Sequence, residues 1–131
     1  MLSQYLQQVH HIAIICSNYN ASKKFYTELL GFTVVKETYR AERDSYKLDL
    51  ALHGKYIIEL FSFPQVPERA SHPEACGLRH LAFAVTKLEA AIAYLQTRQI
   101  ETEPIRVDAL TQKRFTFFSD PDGLPLELYE Q

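Results

Sequence analysis

The sequence predicts an α+β fold of two tandem βαβββ modules forming a curved mixed sheet. Three observations predict it. The order strand, helix, strand, strand, strand is legible in the first half of the chain and again in the second. His11-Ile12-Ala13 recurs as His80-Leu81-Ala82, 69 residues on, and at that spacing Cys16 meets Val85, Ala21 meets Ala90 and Phe25 meets Tyr94. Ile58-Glu59-Leu60-Phe61 recurs as Leu126-Glu127-Leu128-Tyr129, 68 residues on, so a single deletion reconciles the two blocks. Two copies of so long a period do not build a solenoid; they fit a pseudo-twofold pair of curved half-sheets.

Each element has its own signal. Residues 9–16 (VHHIAIIC) form a β-branched run and predict the first strand. Ala21, Phe25 and Leu29 recur every four residues, Tyr26 and Leu30 widen the stripe, and Gly31 stands where a helix ends. Strands follow over 32–39, 46–52 and 56–63, the last two joined by the tight turn His53-Gly54-Lys55. Residues 64–77 carry Pro64, Pro67 and Pro73 and predict a linker. Residues 78–85 (LRHLAFAV) open the second module as a strand, and Leu88, Ala91, Ile92 and Leu95 have amphipathic-helix spacing. Strands are then expected over 102–107, 113–119 and 124–129, the last two flanking Asp120-Pro121-Asp122-Gly123. That turn lacks the further ligands of a calcium loop. The expected organisation is one domain, 1–131, with modules at about 9–63 and 78–131 and a linker at 64–77.

Composition narrows the function. The 131 residues hold 14 Lys+Arg against 16 Asp+Glu, a net charge of −2, so no basic surplus favours a nucleic-acid partner. No apolar run approaches the ~20 residues of a membrane helix, and the polar residues 1–8 carry no secretory pattern. Cys16 and Cys76 do not make a disulfide framework, and a cytoplasmic protein with reduced thiols is expected.

The duplication repeats polar residues inside apolar strands. By strand alternation His11 shares a face with Ala13 and Ile15, and Glu59 with Ile57 and Phe61. His80 shares one with Ala82 and Ala84, and Glu127 with Pro125 and Tyr129. A carboxylate in a largely buried segment needs a partner or a metal. Two imidazoles and two carboxylates at equivalent positions could meet that need on one divalent ion. This donor set suits Zn, Ni, Co, Mn or Fe(II) and not Cu(I) or Ca. By the same alternation His10 points away from His11, while His53 and His72 fall in the turn and the linker.

With these residues in view, the sequence resembles the vicinal oxygen chelate superfamily, the glyoxalase, bleomycin-resistance and dioxygenase group. The stretches that carry the resemblance are VHHIAIICSNYNASKKFYTELLGF, YIIELF, LRHLAFAV and FFSDPDGLPLELYE. Within that group it is similar to the small bacterial YaeR-like proteins, through ERDSYKLDLALHGKYIIELFSFPQVPER, SHPEACGLRHLAF and TQKRFTFFSDPDGLPLELYEQ. The resemblance implies paired βαβββ modules around one divalent metal per site, Zn or Ni first, with Co, Mn or Fe(II) as alternatives. Carried over position by position, it implies His11, Glu59, His80 and Glu127 as ligands. It also implies a homodimer, and a lyase or isomerase of glyoxalase I type that acts on a small oxygenated metabolite through an enediolate. One ligand carboxylate then shuttles the proton: Glu127, with Glu59 as the alternative. Residues 104–114 lack the Gly-rich loop that glyoxalase I carries there, so the resemblance does not bring glutathione with it.

Arg43, Lys47, Arg79, Arg106, Lys113 and Arg114 are candidates to meet an anionic substrate group. Arg43, Lys113, Arg114 and Thr116 are taken as the substrate contacts, Arg114 and Thr116 sharing a face of the seventh strand, with Phe115 and Phe117 packed under the helices. Two other functions fit the superfamily. An Fe(II) extradiol-type dioxygenase would leave the position of Glu59 without a ligand, and a bleomycin-resistance-type module would sequester a ligand without turnover.

Overall fold

The computed structural model describes all 131 residues. They divide into two compact units, Met1–Pro67 and Glu68–Gln131. Each unit is a four-stranded mixed sheet with one principal helical segment, in the order βαβββ, and the first unit adds short 3₁₀ turns at Leu2–Gln4 and Ala41–Arg43.

In the first unit β1 (Ile12–Cys16) leads into α1 (Tyr19–Lys24), which continues as a π-helical turn over Phe25–Leu29. The Asn18 side chain caps α1 by accepting from the Ala21 N–H. The wider turn closes with the Leu30 N–H donating to the Phe25 carbonyl, and it still buries Phe25, Tyr26 and Leu29 as the apolar stripe predicts. Then come β2 (Thr33–Arg40), β3 (Ser45–Leu52) and β4 (Lys55–Ser62). The sheet order is β1-β4-β3-β2, with β1 parallel to β4 and the other pairs antiparallel. The β3–β4 turn holds His53 at φ 50° and Gly54 at φ 77°. Two positive φ values in a two-residue loop suit the right-handed twist of a hairpin, and glycine takes the second at no steric cost.

The second unit repeats this plan. β5 (Leu81–Val85), α2 (Leu88–Thr97), β6 (Arg106–Val107), β7 (Arg114–Ser119) and β8 (Pro125–Glu130) give the sheet order β5-β8-β7-β6. β5 is parallel to β8. β6 is much shorter than expected, two residues in place of six. In the turn before β8, the Asp120 carboxylate accepts from the Asp122 and Leu124 N–H groups, both at 2.9 Å. This turn pairs Ser119 with Pro125 and so sets the register of β7 on β8.

The core of each unit lies on the helix side of its sheet. Leu48, Leu50, Ile58 and Leu60 are fully buried in the first, and Leu88 and Leu126 in the second. Cys16 is buried in β1 with its thiol donating to the Phe61 carbonyl, and Cys76 is exposed; neither forms a disulfide. No helix is long and apolar enough to cross a membrane.

Candidate metal centre

The two units present the same pair of side chains at the same register. In the first sheet Ala13 is paired with Glu59 across β1 and β4. In the second sheet Ala82 is paired with Glu127 across β5 and β8. The histidine lies two residues before the alanine each time, just ahead of its strand, and reaches across to the glutamate. His11 Nε2 is 3.5 Å from Glu59 Oε2, and His80 Nε2 is 3.0 Å from Glu127 Oε2. The carboxylates are well covered, with side chains 15% and 12% exposed. Ala13, Ala82 and Ala84 beside the histidines are exposed.

These pairs fit a divalent ion. Two atoms each about 2.1 Å from one ion, at tetrahedral or octahedral angles, sit roughly 3.0–3.4 Å apart. Both observed N–O separations lie close to that span. Each glutamate faces its histidine through Oε2. The imidazole nitrogens and carboxylate oxygens are borderline-to-hard donors suited to Zn, Ni, Co, Mn or Fe(II). In neither unit do three or more His, Cys, Asp or Glu side chains gather around one point. Each unit supplies a donor pair.

The surroundings of the two pairs differ. In the first unit Asp49 is paired across the sheet with Glu59. The Tyr56 hydroxyl lies 2.8 Å from Asp49 Oδ1 and 3.1 Å from Glu59 Oε2. Lys47 Nζ is 3.2 Å from Asp49 and 3.5 Å from Glu59. The Tyr56 ring meets His11 edge-on at 5.2 Å. Burial, then the two carboxylates, push the Tyr56 hydroxyl well above its ordinary range. Lys47 is also raised, mainly by its hydrogen bond to Asp49. His11 Nδ1 is 2.8 Å from His10 Nδ1. In the second unit aromatic rings take the place of these polar groups. Phe117 is paired with Glu127 and Phe115 with Tyr129, and the Phe117 ring meets His80 edge-on at 5.2 Å. The guanidinium of Arg106 lies over Phe115 at 5.1 Å and over Phe117 at 5.6 Å.

Several sequence expectations are corrected here. Phe115 and Phe117 do not pack under the helix; they share the face of His80 and Glu127. Arg114 and Thr116 therefore fall on the other face. Thr116 is fully buried and donates to the Glu103 carbonyl at 2.6 Å, which removes it from the substrate surface. Arg114 is ion-paired with Glu89 of α2 and with Glu130, and these partners hold its guanidinium protonated and both carboxyls below their usual range. A Thr116→Val variant is expected to lose about 1 kcal/mol of stability, from one buried hydrogen bond, and to keep metal binding unchanged. Urea melts and metal titration check both halves of that expectation.

Lys113 is exposed just ahead of β7, and Arg43 is exposed with its guanidinium 4.8 Å above the Phe63 ring. Arg79 lines a pocket of about 960 Å³ together with His80, Arg106 and Phe117. His10 does not point away from His11 but touches it, because β1 begins only at Ile12 and strand alternation does not reach back to either histidine.

Tyr56, Asp49, His10 and Phe117 are the residues that alternation missed. Tyr56 stands three residues from Glu59, so in a regular strand it would face the other way. The register shift where Ile58 faces Leu50 and Tyr56 faces Ala51 inserts one extra residue in β4 and brings the two to one side. Phe117 was legible in principle: counting back from the Asp120 turn pairs it with Glu127.

The pattern of the Glyoxalase/Bleomycin resistance protein/Dioxygenase superfamily matches residues 8–128. The chain belongs to this superfamily. It is 66% identical over 126 residues to the uncharacterized protein YaeR of Escherichia coli (strain K12), covering 96% of this chain and 98% of that one. The crystal structure of a glyoxalase family protein from Enterococcus faecalis superposes with a TM-score of 0.90 at 54% identity, over 96% of this chain and 99% of that one. The trypanothione-dependent glyoxalase I of Leishmania major superposes with a TM-score of 0.70 at 26% identity, over 95% of this chain and 87% of that one. These matches agree with the expected fold class, two four-stranded mixed sheets each built as a βαβββ module.

Proposed function

We propose that this superfamily member is a divalent-metal-dependent lyase or isomerase of the glyoxalase I type, acting in the cytoplasm as a homodimer on a small oxygenated metabolite. The observation that carries this reading is the His–Glu pair repeated at one register in both sheets, with N–O separations suited to a shared ion. The likeness to the Leishmania major glyoxalase I adds support. Glu59 argues against the dioxygenase alternative, which leaves that position without a ligand.

In this reading His11, Glu59, His80 and Glu127 hold one divalent ion per site, Zn or Ni first. When bound, such an ion would draw charge from a substrate oxygen and acidify the adjacent C–H bond. The Glu127 carboxylate removes that proton and returns it to the neighbouring carbon. Glu59 is the less suitable base, because Tyr56 and Lys47 already engage the oxygen that faces His11. Phe115, Phe117 and Tyr129 line the Glu127 face, where they exclude water from the reacting carbon. Arg106 lies on the same face, ion-paired with Glu103 at 2.9 Å, and would meet an anionic substrate group by exchanging that partner.

The test is metal analysis of protein purified without chelator, followed by a screen of 2-oxoaldehydes with and without glutathione. Stoichiometric metal and isomerising turnover are expected, with turnover lost on chelation and restored by Zn or Ni. Protein that takes up no divalent metal would reduce both pairs to plain histidine–glutamate contacts and end the proposal. Oxygen uptake with a catechol would replace it with the dioxygenase, and tight drug binding by metal-stripped protein without turnover with the sequestering module.

A further inference from the structure

The two donor pairs are equivalent in register but not in support, and the difference lies in polar side chains the sheet topology did not require. Behind Glu59 stand Asp49, Lys47 and Tyr56, with Lys47 and Tyr56 each within hydrogen-bonding or ion-pair reach of both carboxylates. Behind Glu127 stand Phe117 and, on the same strand, Phe115. Both histidines meet an aromatic ring edge-on at 5.2 Å, Tyr56 for His11 and Phe117 for His80. Only the first ring carries a hydroxyl. Tyr56 thus touches both members of its pair, the ring on His11 and the hydroxyl on Glu59. His80 is the one side chain in polar contact with Glu127.

We infer that Tyr56, braced by Asp49 and Lys47, is a positioning residue that locks His11 and Glu59 as a permanent ligand pair and leaves His80–Glu127 as the pair that yields. This inference rests on the metal reading above. Its physical basis is the proton and charge count around Glu59. The Tyr56 hydroxyl has one proton and two carboxylates within reach, so it donates to one at a time, and Lys47 neutralises the other. Glu59 Oε2 is therefore always engaged, and the carboxylate cannot rotate freely but stays turned toward His11. The Asp49 carboxylate, its side chain 12% exposed and sharing Lys47 and Tyr56, is the anchor for both. Removing the polar partner that orients a metal ligand typically costs 10–100-fold in affinity. Glu127 has no such partner, and a carboxylate held only by its histidine can leave and return to a ligand position at little cost.

The experiment is a Co(II) titration of the full-length apoprotein, followed by competition with a chelator and by the visible spectrum of the bound ion. Tyr56→Phe keeps the ring on His11 and removes the hydroxyl. It is expected to lower Co(II) affinity about 10–100-fold and to shift the visible bands, with circular dichroism unchanged. Lys47→Met is expected to weaken binding in the same direction and serves as an independent probe. Phe117→Leu, the matched change beside His80, is expected to leave affinity within about threefold, since no polar partner is lost. Unchanged affinity and spectrum in both Tyr56→Phe and Lys47→Met would overturn the inference while leaving the metal site standing. So would a loss in Phe117→Leu as large as in Tyr56→Phe. A wild-type chain that binds no Co(II) would overturn the metal reading itself, and this inference with it.

Discussion

Replacing Glu127 by Gln is expected to lower turnover by about 10²–10⁴-fold, the usual range for loss of a general base, while the chain stays folded and keeps its metal. The amide preserves the shape of the side chain and an oxygen toward His80, 3.0 Å away, but cannot accept the proton. The companion variant Glu59→Gln is expected to behave differently. Its loss should appear first as weaker metal binding, because the charge that Tyr56 and Lys47 hold in place is gone. Steady-state kinetics on the substrate found in the 2-oxoaldehyde screen, with metal content measured on the same samples, separate the two. If Glu127→Gln turned over normally with metal bound, Glu127 would not be the base. If Glu59→Gln alone abolished turnover with metal retained, the roles of the two carboxylates would be exchanged.

Truncating Ile58 or Leu126 to Ala is expected to cost about 2–5 kcal/mol of stability each, the range for emptying a packed core position. These residues are repeat equivalents, each immediately before a glutamate of the proposed metal centre, and both are fully buried on the helix side of their sheets. Alternation along β4 and β8 means that the buried residue fixes where the next side chain points. Each truncation should therefore loosen the adjacent glutamate as well as the fold, and a reduced metal affinity should accompany the lower urea midpoint. A loss below about 1 kcal/mol would mean that the site collapses around the missing methyl groups, and that these positions do not brace the ligands.

The legibility of the site follows from the kind of evidence each residue leaves in a sequence. His11, Glu59, His80 and Glu127 stand out because each repeats its counterpart, and the structure brings each histidine beside its own glutamate. Their polar neighbours leave no such mark. Asp49 and Lys47 are opposite Phe117 and Phe115 in the plan of the repeat, so a search for likeness passes over them. Tyr56 is hidden by a bulge, which one strand alone does not announce. Arg114 and Thr116 were misplaced for a related reason. Alternation along β7 gives two faces but does not say which one looks toward Glu127; the cross-strand pairing does.

The sequence by itself determined the duplicated βαβββ plan, the four ligand-type residues and the superfamily, because apolar periodicity and repetition are properties of order along the chain. The tertiary structure decided which face each side chain takes and which groups meet across a sheet. It separated the aromatic Glu127 face from the charged Glu59 face, and it withdrew Thr116 into the core. The physical reason is that register depends on turn geometry and bulges shared by two strands. A one-residue change there reverses every side chain, and no single stretch of sequence contains it.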